Sequence, residues 1–168
     1  HYALAEMEKI GLLQSIITQN IANLHQIAGS KKVHEFHGNS RYLICETCHK
    51  CFPAKGMDLS SLPPRCPNCK TVLKPDFVFF GEPIPEPANT DSFSEAVEAD
   101  LFILIGTSGE IMPASLIPYE SDKNGSKIIE INTKPSNYTH TITDIFLQGK
   151  ATEVMKEILL LLKFVEKK

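Results

Sequence analysis

Four cysteines set the strongest constraint on what this chain can become. Cys45-x-x-Cys48 is separated from Cys66-x-x-Cys69 by seventeen residues, a spacing that suits a four-thiolate zinc ribbon. A two-residue gap lets the backbone turn so that both sulfurs converge on one tetrahedral ion at about 2.3 Å. Pro67 and Asn68 are ordinary turn residues for such a knuckle. With four thiolates and no open position, the zinc would be structural rather than catalytic. The register carries one ambiguity, because Cys48-x-x-Cys51 repeats the same gap. We take Cys45 and Cys48 as ligands, which leaves Cys51 a free thiol and His49 a bystander. The competing reading is reduced cysteines packed as small hydrophobes with no metal.

The surrounding composition supports a metal-held lobe. Residues 42–75 hold all five cysteines, several prolines and few long apolar side chains, a mixture that cannot build an ordinary core. On either side, short apolar runs read as strands: 13–18 (LQSIIT), 33–36, 77–80, 101–105 (LFILI), 128–131 (IIEI) and, more weakly, 145–147. Helical spacing is expected over 2–12, 21–28 with Gly29 just past its end, 93–99, 114–123 and 151–164. Strands that are apolar along their length and alternate with helices predict an α/β fold. Its core would be a Rossmann-like parallel sheet with helices on both faces. Residues 1–41 and 76–168 would build that domain, and 42–75 would be the small inserted four-cysteine zinc ribbon. The length of 168 residues, 42% hydrophobic, allows one substantial core. The helical pattern that begins at Tyr2 reads as mid-domain, so the domain is expected to start upstream of His1.

Charge and hydropathy exclude some functions. A net charge of −3, with 17 basic and 20 acidic residues and no basic block beyond Lys167-Lys168, gives no reason to expect nucleic acid as a partner. The longest purely apolar run, 158–162, is far short of the roughly 20 residues needed to cross a bilayer. No secretory leader pattern opens the sequence, so the cysteines read as reduced thiols or metal ligands in a cytoplasmic protein.

Four stretches resemble the sirtuin family, and they occur in that family's order. They are TQNIANLHQIAG (18–29), HEFHGN (34–39), the paired CxxC elements, and the run from KPDFVFFGE (74–82) through GTSGEIMPAS (106–115) to EIN (130–132). The resemblance extends over almost the whole chain. It implies an NAD-dependent protein-lysine deacylase with one structural zinc ion, acting on acylated lysine peptides or proteins and releasing nicotinamide and O-acyl-ADP-ribose. His37 falls on the family's catalytic histidine, and an imidazole that titrates near neutrality suits a general base. The resemblance places Gln19, Asn20, Gly106, Thr107, Ser108, Asn132, Lys150 and Ala151 at the cofactor. It places Val78, Phe79, Phe80, Gly81 and Glu82 against the substrate peptide, with Val78 nearest the lysine. The residues themselves agree in part. Gly106-Thr107-Ser108 follows an apolar strand, where open parallel sheets bind nucleotides. An exposed edge at VFFGE could pair with an extended peptide, although the rings of Phe79 and Phe80 suit a core equally well.

The chain departs from the family's pattern in two places. The glycine-rich GAGIS turn and the PDFR element that wrap the pyrophosphate do not occur in this sequence. Where relatives usually carry an aspartate that holds the nicotinamide carboxamide, this chain has Ala22. Replacing that charge-assisted hydrogen bond with a methyl costs about 1.5–3 kcal/mol. Mono-ADP-ribosyl transfer and a catalytically impaired peptide-binding module are therefore the alternatives to a working deacylase.

Overall fold

The structure, a computed structural model, describes residues 1–58, 60 and 62–165; the basic pair Lys167-Lys168 lies outside them. In chain order the elements are α1 (Tyr2–Lys9), β1 (Ile16–Thr18), α2 (Leu24–Ala28), β2 (Val33–Glu35), β3 (Gly38–Ile44), β4 (Cys51–Pro53) and β5 (Lys74–Phe77). There follow α3 (Ala88–Glu98), β6 (Leu101–Ile105), a 3₁₀ turn (Ala114–Leu116), α4 (Ile117–Lys123), β7 (Lys127–Asn132), β8 (Ile145–Gln148) and α5 (Ala151–Val165).

The parallel strands form two sheets. β6, β7 and β8 lie side by side, with Ile103 opposite Ile129 and Ile129 opposite Ile145. β1 pairs separately with β2, Ile16 opposite Val33. Because side chains alternate along a strand, each face of the larger sheet carries its own apolar set. Ile103, Ile105, Ile129 and Ile131 pack with Leu4 and Met7 of α1 and with Met155, Ile158, Leu159 and Leu162 of α5. Those α5 positions recur at i, i+3, i+4 and i+7, one stripe of a helix, while Leu160 and Leu161 face outward. On the opposite face, Phe102 packs with Phe36, Ala96 of α3 and Ile117 of α4, and Leu104 and Ile128 pack with Tyr138. Helices therefore cover both faces of a parallel sheet, as the sequence predicts. Ile16 belongs to the same cluster as Ile131, so one core joins the two parallel sheets.

The middle of the chain is antiparallel. β3 is the central strand, with Leu43 opposite Phe52 of β4 on one side and Pro75 of β5 on the other. The register with β5 shifts between Gly38 and Leu43. This sheet runs from residue 38 to residue 77 and so brackets the lobe expected over 42–75.

Several expected elements differ in extent. The run 77–80 is not a strand of the parallel sheet. β5 ends at Phe77 and is antiparallel, and the chain then turns, with the Glu82 N–H donating to the Phe79 carbonyl at 3.0 Å. Of 13–18 only 16–18 pairs, since the N–H groups of Leu12 and Leu13 both return to the Met7 carbonyl and finish α1 instead. That also ends α1 at Lys9 rather than residue 12. α2 is shorter than expected, beginning at Leu24 because Asn23 takes a left-handed conformation (φ 61°), and it closes on Gly29 (φ 107°) as anticipated. α3 begins at Ala88, five residues earlier than expected, and the single helix expected over 114–123 is a 3₁₀ turn followed by α4.

Candidate functional site

The metal-ligating cysteines come together as the spacing requires. One ligand atom from each of Cys45, Cys48, Cys66 and Cys69 lies within 4.8 Å of all the others. The Cys45 and Cys69 sulfurs are 3.2 Å apart and those of Cys48 and Cys66 are 3.7 Å apart. These separations are too long for disulfides and close to the ~3.8 Å expected between thiolates bound at ~2.3 Å to one tetrahedral ion. Two equivalent turns present the sulfurs. The His49 N–H donates to the Cys45 carbonyl at 2.8 Å and the Lys70 N–H to the Cys66 carbonyl at 3.0 Å, and His49 and Lys70 are both left-handed, at φ 55° and 62°. That repeat settles the register. Cys51 instead pairs with Ile44 in the β3–β4 ladder and is exposed.

Thr71 completes this cluster, its hydroxyl lying 3.2 Å from the sulfurs of both Cys45 and Cys69. The Thr71 contact, with the Cys48 backbone, holds the Cys45 thiol down to about 5. The Cys69 backbone N–H lowers Cys66. Cys48 accepts from the Lys50 backbone, but burial and the three neighbouring sulfurs push it up to about 11. Crowded thiols of this kind share protons unevenly, and a divalent cation is the partner that takes all four as thiolates. The donor set fits zinc.

His37 sits on the two-residue link between β2 and β3. Phe36, fully buried, anchors one side, its N–H extending the β1–β2 pairing to the Thr18 carbonyl at 2.9 Å. Gly38 fixes the other side. At φ 72°, its backbone passes so close to β5 that a Cβ would lie 2.4 Å from the Asp76 carbonyl oxygen, which only glycine permits. Asn39 ties the same crossing by donating to the Asp76 carboxylate at 3.2 Å. The His37 carbonyl accepts the Val78 N–H at 3.0 Å, so candidate base and candidate lysine contact are adjacent through the backbone. A cavity of about 300 Å³ opens beside them, lined by Gly38, Lys74, Asp76, Val78 and Glu82.

The rest of VFFGE forms an exposed turn. Phe79 and Phe80 are not core, and Phe80 is 97% exposed. Gly81 is left-handed at φ 88°. Glu82 turns inward, its carboxylate accepting the Phe79 N–H at 2.9 Å and pairing with Lys74 at 2.7 Å. The Lys74 ammonium lies 5.1 Å from the Phe79 ring centroid. Lys74, with the Phe79 N–H, holds the Glu82 carboxyl below its ordinary range.

The expected cofactor residues gather at the carboxyl ends of parallel strands, where open sheets bind nucleotides. Gly106, Thr107 and Ser108 follow β6. Asn132 ends β7 and donates to the Thr107 carbonyl at 2.9 Å, and its own carbonyl accepts the Gly149 N–H at 2.9 Å. That bond brings up Lys150 and Ala151, where α5 begins. Gln19 and Asn20 leave the end of β1, in the smaller sheet, with the Asn20 N–H donating to the Thr18 hydroxyl at 3.1 Å. Asn20, Ala22 and His25 line a second cavity of about 230 Å³. Burial lowers the His25 pKa.

Comparison with known proteins identifies the family. A model of the Sir2 family matches residues 1–113, two thirds of the chain. This chain belongs to the Sir2 family. An NAD-dependent protein deacylase from Thermococcus sibiricus is 42% identical over 171 residues, an alignment covering 97% of this chain and 66% of the relative. The chain thus spans about two thirds of that relative's length. Among solved structures, a Sir2 homologue mutant in complex with ADP-ribose superposes with a TM-score of 0.95 at 36% identity, covering 99% of this chain and 67% of the other. A Sir2 bound to a p53 peptide and NAD+ gives 0.93 at 32%, covering 98% and 69%.

In this Sir2 chain some contributors were not among the residues expected from the sequence. Thr71, two residues beyond Cys69, could have been suspected as a hydroxyl beside a thiolate. Lys74 and Asp76 could not, because Lys74 meets Glu82 only through the turn that follows β5, and Asp76 meets Asn39 only through the β3–β5 crossing.

Proposed function

We propose that this Sir2 chain carries the acyl-lysine and nucleotide-ribose parts of an NAD-dependent protein-lysine deacylase. Its substrates would be acylated lysine peptides or proteins. The observation that carries the reading is the His37–Val78 backbone bond, with Val78 and the neighbouring Gly38 lining the 300 Å³ cavity, which joins the residue that carries the candidate base to a segment able to receive an extended peptide. NAD+ supplies an electrophilic ribose carbon, C1′, and nicotinamide as the leaving group. On this reading Val78 and the exposed 79–82 turn bind the acyl-lysine chain by its backbone and orient its carbonyl oxygen. His37 accepts the proton of a ribose hydroxyl; that hydroxyl oxygen takes the acyl group from lysine, and one water is consumed as lysine leaves as the free amine. Gly106, Thr107, Ser108 and Asn132 hold the ribose and phosphate region, joined by Lys150 and Ala151, while Gln19 and Asn20 face the nicotinamide side. Four unpaired thiols brought together as a metal site suit a reducing, cytoplasmic compartment.

The zinc-loaded chain with NAD+ and an acetyl-lysine peptide tests this reading. Nicotinamide release matched by deacylated peptide, both abolished in His37→Ala, is the expected result, and equal turnover in His37→Ala overturns it. Ala22 in the 230 Å³ cavity favours a second reading, a peptide-binding module without turnover. Peptide binding with no nicotinamide release would select that module, and transfer of labelled ADP-ribose to protein would select mono-ADP-ribosyl transfer.

A further inference from the structure

An ion pair clasps the segment that carries His37. Glu35 ends β2 and Arg41 lies in β3, so contact between their side chains closes the chain around residues 36–40. The contact is bidentate, with Arg41 Nη1 donating to Glu35 Oε1 at 3.0 Å and Nη2 to Oε2 at 2.6 Å. Glu35 is largely buried and Arg41 half-buried, and a forked guanidinium–carboxylate pair of this kind fixes orientation as well as charge. Arg41 is itself anchored. Its backbone N–H donates to the Asn39 side-chain oxygen at 3.0 Å, and Asn39 is the residue that reaches Asp76 of β5.

The same pair grips the head of α2. Arg41 Nη1 also donates to Asn23 Oδ1, and Gln26 Nε2 donates to Glu35 Oε1 at 2.9 Å. Asn23 stands at the N-cap of α2, where an asparagine oxygen ordinarily accepts an N–H of the first turn. It makes no such bond; its oxygen is given to Arg41 instead. A helix of five residues without a side-chain cap holds little structure of its own, so its place depends on ties from outside. Beside these, the Ile21 carbonyl accepts both the N–H and the hydroxyl of Ser40, at 3.1 and 2.9 Å. Asn23 and Gln26 line the 230 Å³ cavity with Asn20 and Ala22. The wall of that cavity and the segment bearing His37 therefore hang from one guanidinium.

We propose that Arg41 is a positioning residue which, through Glu35 and Asn23, registers the wall of the 230 Å³ cavity against the link that carries His37. Its side chain acts through these partners and touches no reacting atom. Its effect on turnover rests on the deacylase reading; the clasp itself does not. Lysine cannot take its place, because one ammonium cannot present two parallel donors to a carboxylate and a further donor to an amide oxygen in a fixed plane.

The test uses the zinc-loaded full chain with Arg41→Met, Arg41→Lys and Asn23→Gly. Glycine accepts the left-handed conformation of residue 23, so Asn23→Gly removes the tie to α2 and leaves the Glu35 pair intact. Two hydrogen-bonded amides report the two sides of the clasp: Ile27, whose N–H donates to the Asn23 carbonyl at 3.1 Å, and Val78, whose N–H donates to the His37 carbonyl at 3.0 Å. Amides of β7 in the same samples report global opening. Arg41→Met and Arg41→Lys should both speed exchange at Ile27 and Val78 by roughly two- to tenfold beyond any change in β7, and Asn23→Gly should do so at Ile27. With NAD+ and an acetyl-lysine peptide, all three should lower kcat while the peptide KM changes little. Exchange at Ile27 and Val78 that only follows β7 in the Arg41 variants overturns the clasp, and so does an Arg41→Lys chain that matches the wild type. Faster exchange with unchanged kcat overturns the positioning role. Faster exchange in a chain whose wild type releases no nicotinamide supports the clasp and removes the deacylase reading. If the Arg41 variants do not fold, Asn23→Gly decides the matter, with Ile27 exchange and kcat both unchanged overturning the proposal.

Discussion

Ala22 and Gly38 show how much single positions decide here. Ala22 offers only a methyl to the 230 Å³ cavity it shares with Asn20 and His25. Ala22→Asp should tighten nicotinamide binding by about 1.5–3 kcal/mol, roughly ten- to hundredfold, measurable by calorimetry on the full chain. An unchanged affinity would separate this cavity from the nicotinamide site. Gly38 is fixed by sterics instead. Gly38→Ala must relieve a 2.4 Å contact with the Asp76 carbonyl as well as the strain of φ 72°, so a loss of more than about 1–3 kcal/mol is expected. Gly56→Ala, at φ 86° with open space around it, should show the strain alone, about 1–2 kcal/mol. Urea melts of the pair separate clash from strain. The glycine after His37 could be read from the sequence only as part of a family motif; its physical reason, the passage of β5, became visible with the fold.

The turns and sheet around the metal make their own predictions. Cys51→Ser should retain one zinc per chain and Cys66→Ser should lose it, as measured by metal analysis. Chelation of the wild type should speed amide exchange at Tyr42, Leu43 and Ile44 in β3 before it reaches β7. The 79–82 turn should respond to acid. The Glu82 carboxyl is lowered in the folded chain by Lys74 and the Phe79 N–H. Its contribution is therefore fully present above its ordinary value of 4.5 and is lost as pH falls through the lower folded value. Exchange at the Phe79 amide, referred to its intrinsic rate, should lose protection over that acid window, and Lys74→Met should move the loss to higher pH. The zinc knuckles and strands β6 and β7 were legible because spacing and apolar runs are local signals. The run 77–80 was misread because FVFF is apolar enough for a buried parallel strand, whereas β5 ends at Phe77 and its antiparallel place beside β3 depends on the crossing at Gly38. Phe79 and Phe80 were ambiguous for the same reason, since nothing in their neighbours marks the outward turn.

Across the whole molecule, one apolar cluster unites α1, β1, β7 and α5 through Leu4, Met7, Ile16, Ile131 and Met155. Met155→Ala should destabilise the chain by about 2–5 kcal/mol, and α1 and α5 should melt in one transition. Leu161→Ala, on the outer face at 66% exposure, should stay within about 0.5 kcal/mol. Thermal unfolding followed by circular dichroism distinguishes the two. The α/β class and the closing helix could be read from the stripe of α5 and the apolar strands. The division of the parallel strands into two sheets could not, because Ile16 and Ile103 look alike in sequence and differ only in the neighbours they find. β3 adds a mechanical link at this scale. It starts one residue after His37 and ends one residue before Cys45, a span of about 24 Å along seven residues. The strand works as a lever arm between the ion-binding knuckle and the imidazole. A change of metal occupancy at the ribbon therefore reaches the backbone beside His37 through one continuous strand.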